Sequence, residues 1–258
     1  MFIDEISPEL RKNLNQQDFF QYFWQLPKNW YEPPNSRRGG WSGVVTHKLL
    51  LEEQSTQVLF VKLQSSSVYK TAKHPFSGLP TFYREYLSAQ KAKRAGVSVL
   101  EFLYYGQRGR DAVLVSKSLE GYSELNQVLV QTKDKPVLRT ALLQRLTENL
   151  LNMHSAKISH GALHQKHVLV KIENDEIVDL RFIDFEQSKR KRSLRSIAKD
   201  LYQLFRKTDF TDQDKAFIFK QYAMILSHKK IAQLKQKIVV ITQRKIRKKT
   251  KKNNVKII

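Results

Sequence analysis

The sequence predicts a two-lobed α+β chain, and three observations carry that prediction. Short β-forming runs dominate as far as about Ser118, helical spacing dominates after about Leu119, and the switch falls in the short polar segment Lys117–Tyr122. A length of 258 residues suits one or two domains, either able to enclose a core. With 41% hydrophobic and 10% aromatic residues, the composition excludes a disordered polyelectrolyte, even at 46 Lys and Arg against 24 Asp and Glu and a formal net charge of +22. There is no cysteine, which excludes thiol chemistry, disulfides and thiolate metal sites. The opening Met1-Phe2-Ile3-Asp4-Glu5 carries acid where a secretory signal wants positive charge, and no apolar run approaches the roughly 18 residues of a membrane span. A soluble, cytoplasmic chain is the expectation.

Residues 1–34 read as an N-terminal extension with an aromatic stretch (Phe19, Phe20, Tyr22, Phe23, Trp24) and a break at Pro33-Pro34. Residues 35–118 read as the first lobe, mostly antiparallel sheet with one helix. His47–Leu51 and Val58–Leu63 are apolar β-forming runs around the polar Glu52–Gln57, a hairpin pattern. Ser65–Pro80, rich in Ser, Pro and Gly, reads as a long loop. Thr81–Ala95 reads as a helix with Thr81 as N-cap and Gly96 as its stop. Val97–Tyr105 and Ala112–Ser116 read as strands around the turn Gln107-Arg108-Gly109-Arg110.

Residues 119–241 read as a mostly helical second lobe. Leu142, Leu143, Leu146, Leu150 and Met153 recur at helical spacing within Leu138–Met153. Val168–Ile172 and Ile177–Phe182 flank Glu173-Asn174-Asp175 as a second hairpin. Ser193–Arg206, Gln213–Leu226 and Lys230–Ile241 read as helices. Residues 242–258 form a basic tail expected to fray or stay disordered. No Asp or Glu follows Asp214, whereas 14 Lys or Arg lie between Lys215 and Ile258. Such a tail suits an anionic membrane surface, and equally a solvated face. No nucleic-acid motif is present and Arg244–Lys252 lacks interleaved aromatics, so no specific nucleic acid is expected as partner.

Four features could carry chemistry. Arg38-Gly39-Gly40-Trp41-Ser42-Gly43-Val44 is a glycine-rich turn whose backbone N–H groups could approach phosphate oxygens, although such a run alone is also an ordinary tight hairpin. Lys62 is a lone cation in the apolar run Leu59-Phe60-Val61-Lys62-Leu63, and Glu85 on the following helix could be its partner; each could equally lie on a wet surface. His160-Gly161-Ala162-Leu163-His164-Gln165-Lys166-His167 and Phe182-Ile183-Asp184-Phe185-Glu186 close the two ends of the second hairpin. Asp184 follows Leu180, Phe182 and Ile183, where a carboxylate needs a cation or hydrogen-bond donors. His160, His164 and His167 have zinc-like spacing, but buried hydrogen-bonded histidines are commoner.

Taken in order, these blocks resemble the bacterial lipopolysaccharide kinase family, with its protein kinase-like fold, and most closely the InaA-type branch. The resemblance runs from about Asn35 to Arg206 and also rests on Pro80-Thr81-Phe82-Tyr83-Arg84-Glu85 and Leu119-Glu120-Gly121-Tyr122. It implies an ATP- and Mg-dependent phosphotransferase acting on an alcohol group, with a lipopolysaccharide core sugar (heptose or Kdo) or related glycolipid as acceptor, working at the inner face of the inner membrane. It implies that Gly39, Gly40 and Gly43 cover the ATP phosphates, that Lys62 contacts them and is oriented by Glu85, and that Asp184 binds the metal. His167 stands at the second metal-binding position, where kinases carry Asn. Asp200 resembles a residue that braces the His160 loop. At the position of the catalytic-loop aspartate stands Ala162, which can do no acid–base work; His164 or Glu186 would have to supply a base. The same departure supports the alternative of a pseudokinase with a regulatory or scaffolding role, and a nucleic-acid-binding protein ranks third.

Overall fold

The structure, a computed structural model, describes residues 2–37, 39–51, 56–190, 193–206 and 209–254. The chain divides into two compact units, one formed by Met1–Gln90 with Leu100–Glu120 and the other by Lys91–Val99 with Gly121–Ile258.

The first unit contains β1 (Phe2–Ile6), α1 (Pro8–Asn13), α2 (Phe19–Trp24), β2 (Trp30–Arg37), β3 (Gly40–Leu50), β4 (Thr56–Ser65), the two-residue strands β5 (Val68–Tyr69) and β6 (Leu79–Pro80), most of α3 (Thr81–Arg94), β7 (Phe102–Arg108) and β8 (Asp111–Lys117). Six strands form one antiparallel sheet in the order β1-β7-β8-β4-β3-β2. The expected hairpin is the turn-proximal part of the longer β3–β4 pair, in register from Trp41↔Ser65 to Leu50↔Thr56, with residues 52–55 outside the described ones. Strand alternation decides what each face carries. Leu59, Val61 and Leu63 are fully buried on one face of β4, packed with Leu10, Phe19, Phe20 and Phe23. Residues 1–34, expected as an extension, thus supply an edge strand and part of this core. On the other face Phe82, Tyr105 and Leu114 cluster.

Two expectations change in detail. Thr81 is not the N-cap of α3 but its first residue, and the first turn is satisfied from afar: Gln64 Oε1 accepts from Phe82 N–H at 2.8 Å and from the Thr81 hydroxyl at 3.1 Å. Gln64 Nε2 in turn donates to the Ser67 carbonyl at 2.5 Å. The strand expected from Val97 begins only at Phe102. Gly96 (φ +78°) ends α3 with Val97 N–H on Ala92 O and Gly96 N–H on Lys93 O, a Schellman closure, and Ser98 N–H then goes to Asn149 Oδ1 at 2.6 Å. With its N–H given to a helix side chain and its C=O to Phe182 N–H, Ser98 has nothing left for a sheet neighbour.

The second unit holds β9 (Tyr122–Glu124), α4 (Leu125–Gln131), α5 (Pro136–Ser155), β10 (Ile158–Ser159), β11 (Val168–Glu173), β12 (Glu176–Phe182), β13 (Lys189–Arg190), α6 (Leu194–Phe205), α7 (Asp212–Gln221) and α8 (His228–Asn254). The β11–β12 hairpin forms as its sequence predicts, because Asn174 and Asp175 both accept positive φ (50° and 58°) in a two-residue turn. Leu142, Leu146, Leu150 and Met153 put the stripe of α5 fully inside. Arg139 on α5 makes a bidentate pair with Asp214 (3.1 and 2.6 Å) and also reaches the carbonyls of Leu129 and Asp209. One guanidinium therefore joins α4, α5 and the start of α7. The tail expected to fray is instead helical through Asn254, with 255–258 outside the described residues. Lys, Arg and Gln are good helix formers, and Leu234 and Ile238 give the helix an apolar side, Leu234 fully buried.

Candidate active site

Two clusters, one in each unit, carry the residues singled out from the sequence. In the first unit Lys62 sits at the middle of the sheet, opposite Val44 on one side and Leu114 on the other, its side chain on the Phe82–Leu114 face. Its Nζ lies 2.7 Å from Glu85 Oε1, on the second turn of α3, and Glu85 is 1% exposed. Burial makes a carboxylate costly unless a cation meets it, so the pair fixes the lysine against α3. The wet-surface reading of these two residues does not hold.

The glycine-rich turn joins β2 to β3, with Arg37 opposite Gly40; Arg38 lies outside the described residues. Gly39 takes φ +78° with open space where a Cβ would stand. Gly40 and Gly43 have steric reasons of their own. A Cβ on Gly40 would run into the backbone of Ser65–Ser67, and one on Gly43 would meet the Trp30 ring at 2.6 Å.

In the second unit the 160–167 segment wraps against the end of β12. Asp184 adopts the left-handed conformation (φ 62°, ψ 61°), uncommon for a residue with a Cβ, as it turns the chain out of β12 into a short 3₁₀ turn, Phe185–Gln187. Its Oδ2 lies 3.2 Å from His167 Nε2. His167 Nδ1 sits 2.7 Å from the Ala162 carbonyl, which can only accept, so Nδ1 carries the proton. In a neutral imidazole Nε2 then presents an electron pair toward a carboxylate oxygen. Such a pair needs a proton or a cation between its members, and one N and one O ligand suit a divalent ion whose remaining positions go to water or phosphate. The three histidines do not converge: His160 Nε2 is 2.9 Å from the Ile183 carbonyl, His167 Nδ1 is on Ala162, and no group of three or more His, Asp or Glu able to hold a metal occurs among the described residues.

The loop is braced from below. Asp200, fully buried on α6, accepts the backbone N–H groups of His160 and Gly161, both at 2.9 Å, and His154 Nε2 lies 3.3 Å away. His154 Nδ1 is 2.5 Å from the Tyr222 hydroxyl, which completes a buried chain from α5 and the residue after α7 to the loop. Gly161 (φ +82°) admits no side chain, since a Cβ would stand 2.5 Å from the Gln187 carbonyl. Gln165 donates to the carbonyls of Leu204 (2.5 Å) and Arg206 (3.0 Å), tying the loop to the end of α6. Gln64, His154 and Tyr222 belong to no sequence block, and Gln165, though inside the 160–167 block, stands unmarked among other polar residues; the signal open to a reader is Gln64, a polar residue directly after an apolar strand run.

Electrostatics follow the burial. Desolvation pushes His160 down to about 4, so it is neutral in the folded protein, and desolvation with the charges of His167, Arg206 and Lys166 lowers His164 as well. A neutral His164 can accept a proton. Burial would raise Asp200, but the hydrogen bond to His154 and the Gly161 N–H outweigh it and hold the carboxyl below its usual value. These shifts set a pH dependence. The unfolded chain protonates His160 as pH falls through its ordinary 6.5 and the folded chain only near 4, so this stability is complete above 6.5 and lost on the way down to 4. His47 and His164, lowered first by desolvation, act in the same direction. The Asp200 contribution is present above the carboxyl's ordinary 3.8 and disappears only below it. Urea unfolding at constant ionic strength should show a plateau above about pH 7, a decline between 6.5 and 4, and a second loss below. A flat profile from pH 7 to 4.5 would contradict the assignment.

A family model described as "Lipopolysaccharide kinase (Kdo/WaaP) family" matches residues 21–222. The chain is also similar to "Protein InaA" of Escherichia coli (strain K12), 30% identical over 196 residues, covering 72% of this chain and 87% of that protein.

Proposed function

The chain belongs to the lipopolysaccharide kinase (Kdo/WaaP) family, and from that premise we propose that it transfers the γ-phosphoryl group of ATP to a sugar hydroxyl of a lipopolysaccharide core or related glycolipid. The observation that carries this reading is the Lys62–Glu85 pair, a cation held at 2.7 Å by a buried carboxylate at the centre of a sheet. Phosphoryl transfer asks a protein mostly for positioning and for neutralising charge on the phosphate oxygens. Lys62 would do this at the α/β-phosphates, with the backbone at Gly39 beside them. Asp184 and His167 would hold a divalent cation, Mg²⁺ by analogy with the family, and that ion would neutralise charge at the β- and γ-oxygens. His164, neutral near pH 7, is the side chain we assign to accept the acceptor's proton, since Ala162 is buried and has no group to do so. Without the usual aspartate, turnover is expected to fall by about 10²–10⁴-fold relative to an enzyme with a well-placed base.

The pseudokinase reading is favoured by one observation: the Ala162 carbonyl accepts from His164 N–H (2.8 Å) and faces His167 Nδ1, so the loop is tied down around a residue that does no chemistry. Among the described residues no helix is long and apolar enough to cross a membrane, and we place the protein in the cytoplasm with its basic helix α8 at the anionic inner face of the inner membrane. The first test is calorimetric titration of Mg²⁺-ATP, with and without EDTA. Metal-dependent binding is the expected result. No binding at millimolar nucleotide would remove the ATP-dependent reading and leave a kinase fold used as a scaffold. Binding without transfer to any core sugar or glycolipid would favour the pseudokinase.

A further inference from the structure

A groove between α6 and α8 in the second unit is unused by the chemistry above. It has a volume of about 550 Å³. Tyr202, Phe205, Ile238 and Ile246 give it an apolar wall, and Arg206 and Lys245 bring cations to it. Ile246 is 60% exposed on a helix whose sequence carries 11 Lys or Arg and no Asp or Glu. Among the described residues no carboxylate forms an ion pair with Arg206 or Lys245. Apolar side chains next to such cations call for a ligand of the complementary make-up, an acyl chain joined to a phosphate. A nucleic acid would match the cations, but Tyr202 is buried and Phe205 packs against the Phe210 and Phe219 rings, which leaves isoleucines rather than an aromatic face for its bases. An apolar peptide would desolvate Arg206 and Lys245 without meeting their charge.

We propose that this groove binds an anionic phospholipid of the membrane surface, one acyl chain against Phe205, Ile238 and Ile246 and the headgroup phosphate at Arg206 and Lys245. The positive charge of the α8 sequence adds to the attraction of an anionic leaflet. The groove lies next to the site loop, because Gln165, between His164 and His167, hydrogen-bonds the Leu204 and Arg206 carbonyls at the groove's wall. A lipid seated there would hold the loop at the membrane, where a glycolipid acceptor resides. The proposal rests on the reading of α8 as facing an anionic leaflet, and not on phosphoryl transfer.

The test is co-sedimentation of the full chain with vesicles of phosphatidylcholine, with and without phosphatidylglycerol, comparing Ile246→Asp with the double variant Lys229→Gln/Lys230→Gln on the first turn of the same helix. The first lowers the net charge by one unit and the second by two, so a plain polycation would lose more binding in the second. The groove reverses that order: Ile246→Asp should weaken phosphatidylglycerol binding about tenfold or more by losing buried apolar contact, while the double variant changes it less. Short-chain phosphatidylglycerol should compete and inorganic phosphate should not. Equal binding by Ile246→Asp and the natural chain, or a larger loss in the double variant, overturns the proposal. Ile246 is exposed, so its replacement should leave the melting temperature unchanged; if it does not, Lys245→Gln, which lowers the charge by one unit at the headgroup position, makes the same comparison. Failure of the kinase reading would appear separately, in the Mg²⁺-ATP titration without vesicles.

Discussion

Replacing Asp200 by alanine should destabilise the second unit by about 3–5 kcal/mol, the range for removing one member of a buried charged network. The carboxylate is fully buried and serves two backbone N–H groups and His154 together. With alanine in its place the N–H groups of His160 and Gly161 lose their acceptor in the interior, each at about 1–3 kcal/mol, and the Tyr222–His154 pair loses its anchor. Domains have only about 5–15 kcal/mol in total, so the variant should be close to unfolding at room temperature. Asp200→Asn is the informative companion. It keeps the shape and one acceptor oxygen, but its NH₂ faces a donor, so its cost should be smaller than that of alanine and still above about 1 kcal/mol. Urea unfolding followed by circular dichroism measures both. A loss below 1 kcal/mol for the alanine variant would mean that the loop does not depend on this brace.

Asp184→Asn should weaken metal-dependent ATP binding by about 100-fold or more while leaving the fold intact. The fold is spared for two reasons: the Asp184 side chain is 35% exposed, and asparagine tolerates the left-handed backbone that this position adopts. The affinity is lost because the amide has no charge with which to hold a divalent cation opposite His167 Nε2. Calorimetry with Mg²⁺ and without it separates the two contributions: the metal-free affinity should be the same for both proteins, and only the metal-bound value should fall. An unchanged metal-bound affinity would remove Asp184 from the ligand set.

How much of this could be read from the sequence depended on distance along the chain. The β11–β12 hairpin and the α5 stripe are local patterns with a single solution, and both formed where the periodicity placed them. The Lys62–Glu85 pair spans 23 residues and was expected only because two unusual residues stood in recognisable blocks. β1 joins the sheet through Phe2↔Arg108, a pairing no local signal can announce, so residues 1–34 read as an appendage although they supply core. His154 and Tyr222 meet across 68 residues. α8 was read short because lysine looked like solvent exposure; its propensity for helix and its contact with α6 carry it on to Asn254. Gly40 and Gly43 stood out for phosphate, yet their lack of a Cβ is also required by neighbours that only the fold brings near.

Gln64 has one more consequence. Its amide fixes the first turn of α3 to β4, two residues from Lys62, through bonds to Thr81, Phe82 and Ser67. The helix that carries Glu85 is therefore anchored to the lysine's own strand before any ligand arrives, and it cannot swing away without uncovering a fully buried amide. A protein whose binding-competent form is only a minor population loses apparent affinity in proportion to that population. On the function proposed above, the lysine would be set at folding, so a nucleotide would meet one arrangement of this cation, and control over the protein would act somewhere other than the position of that helix.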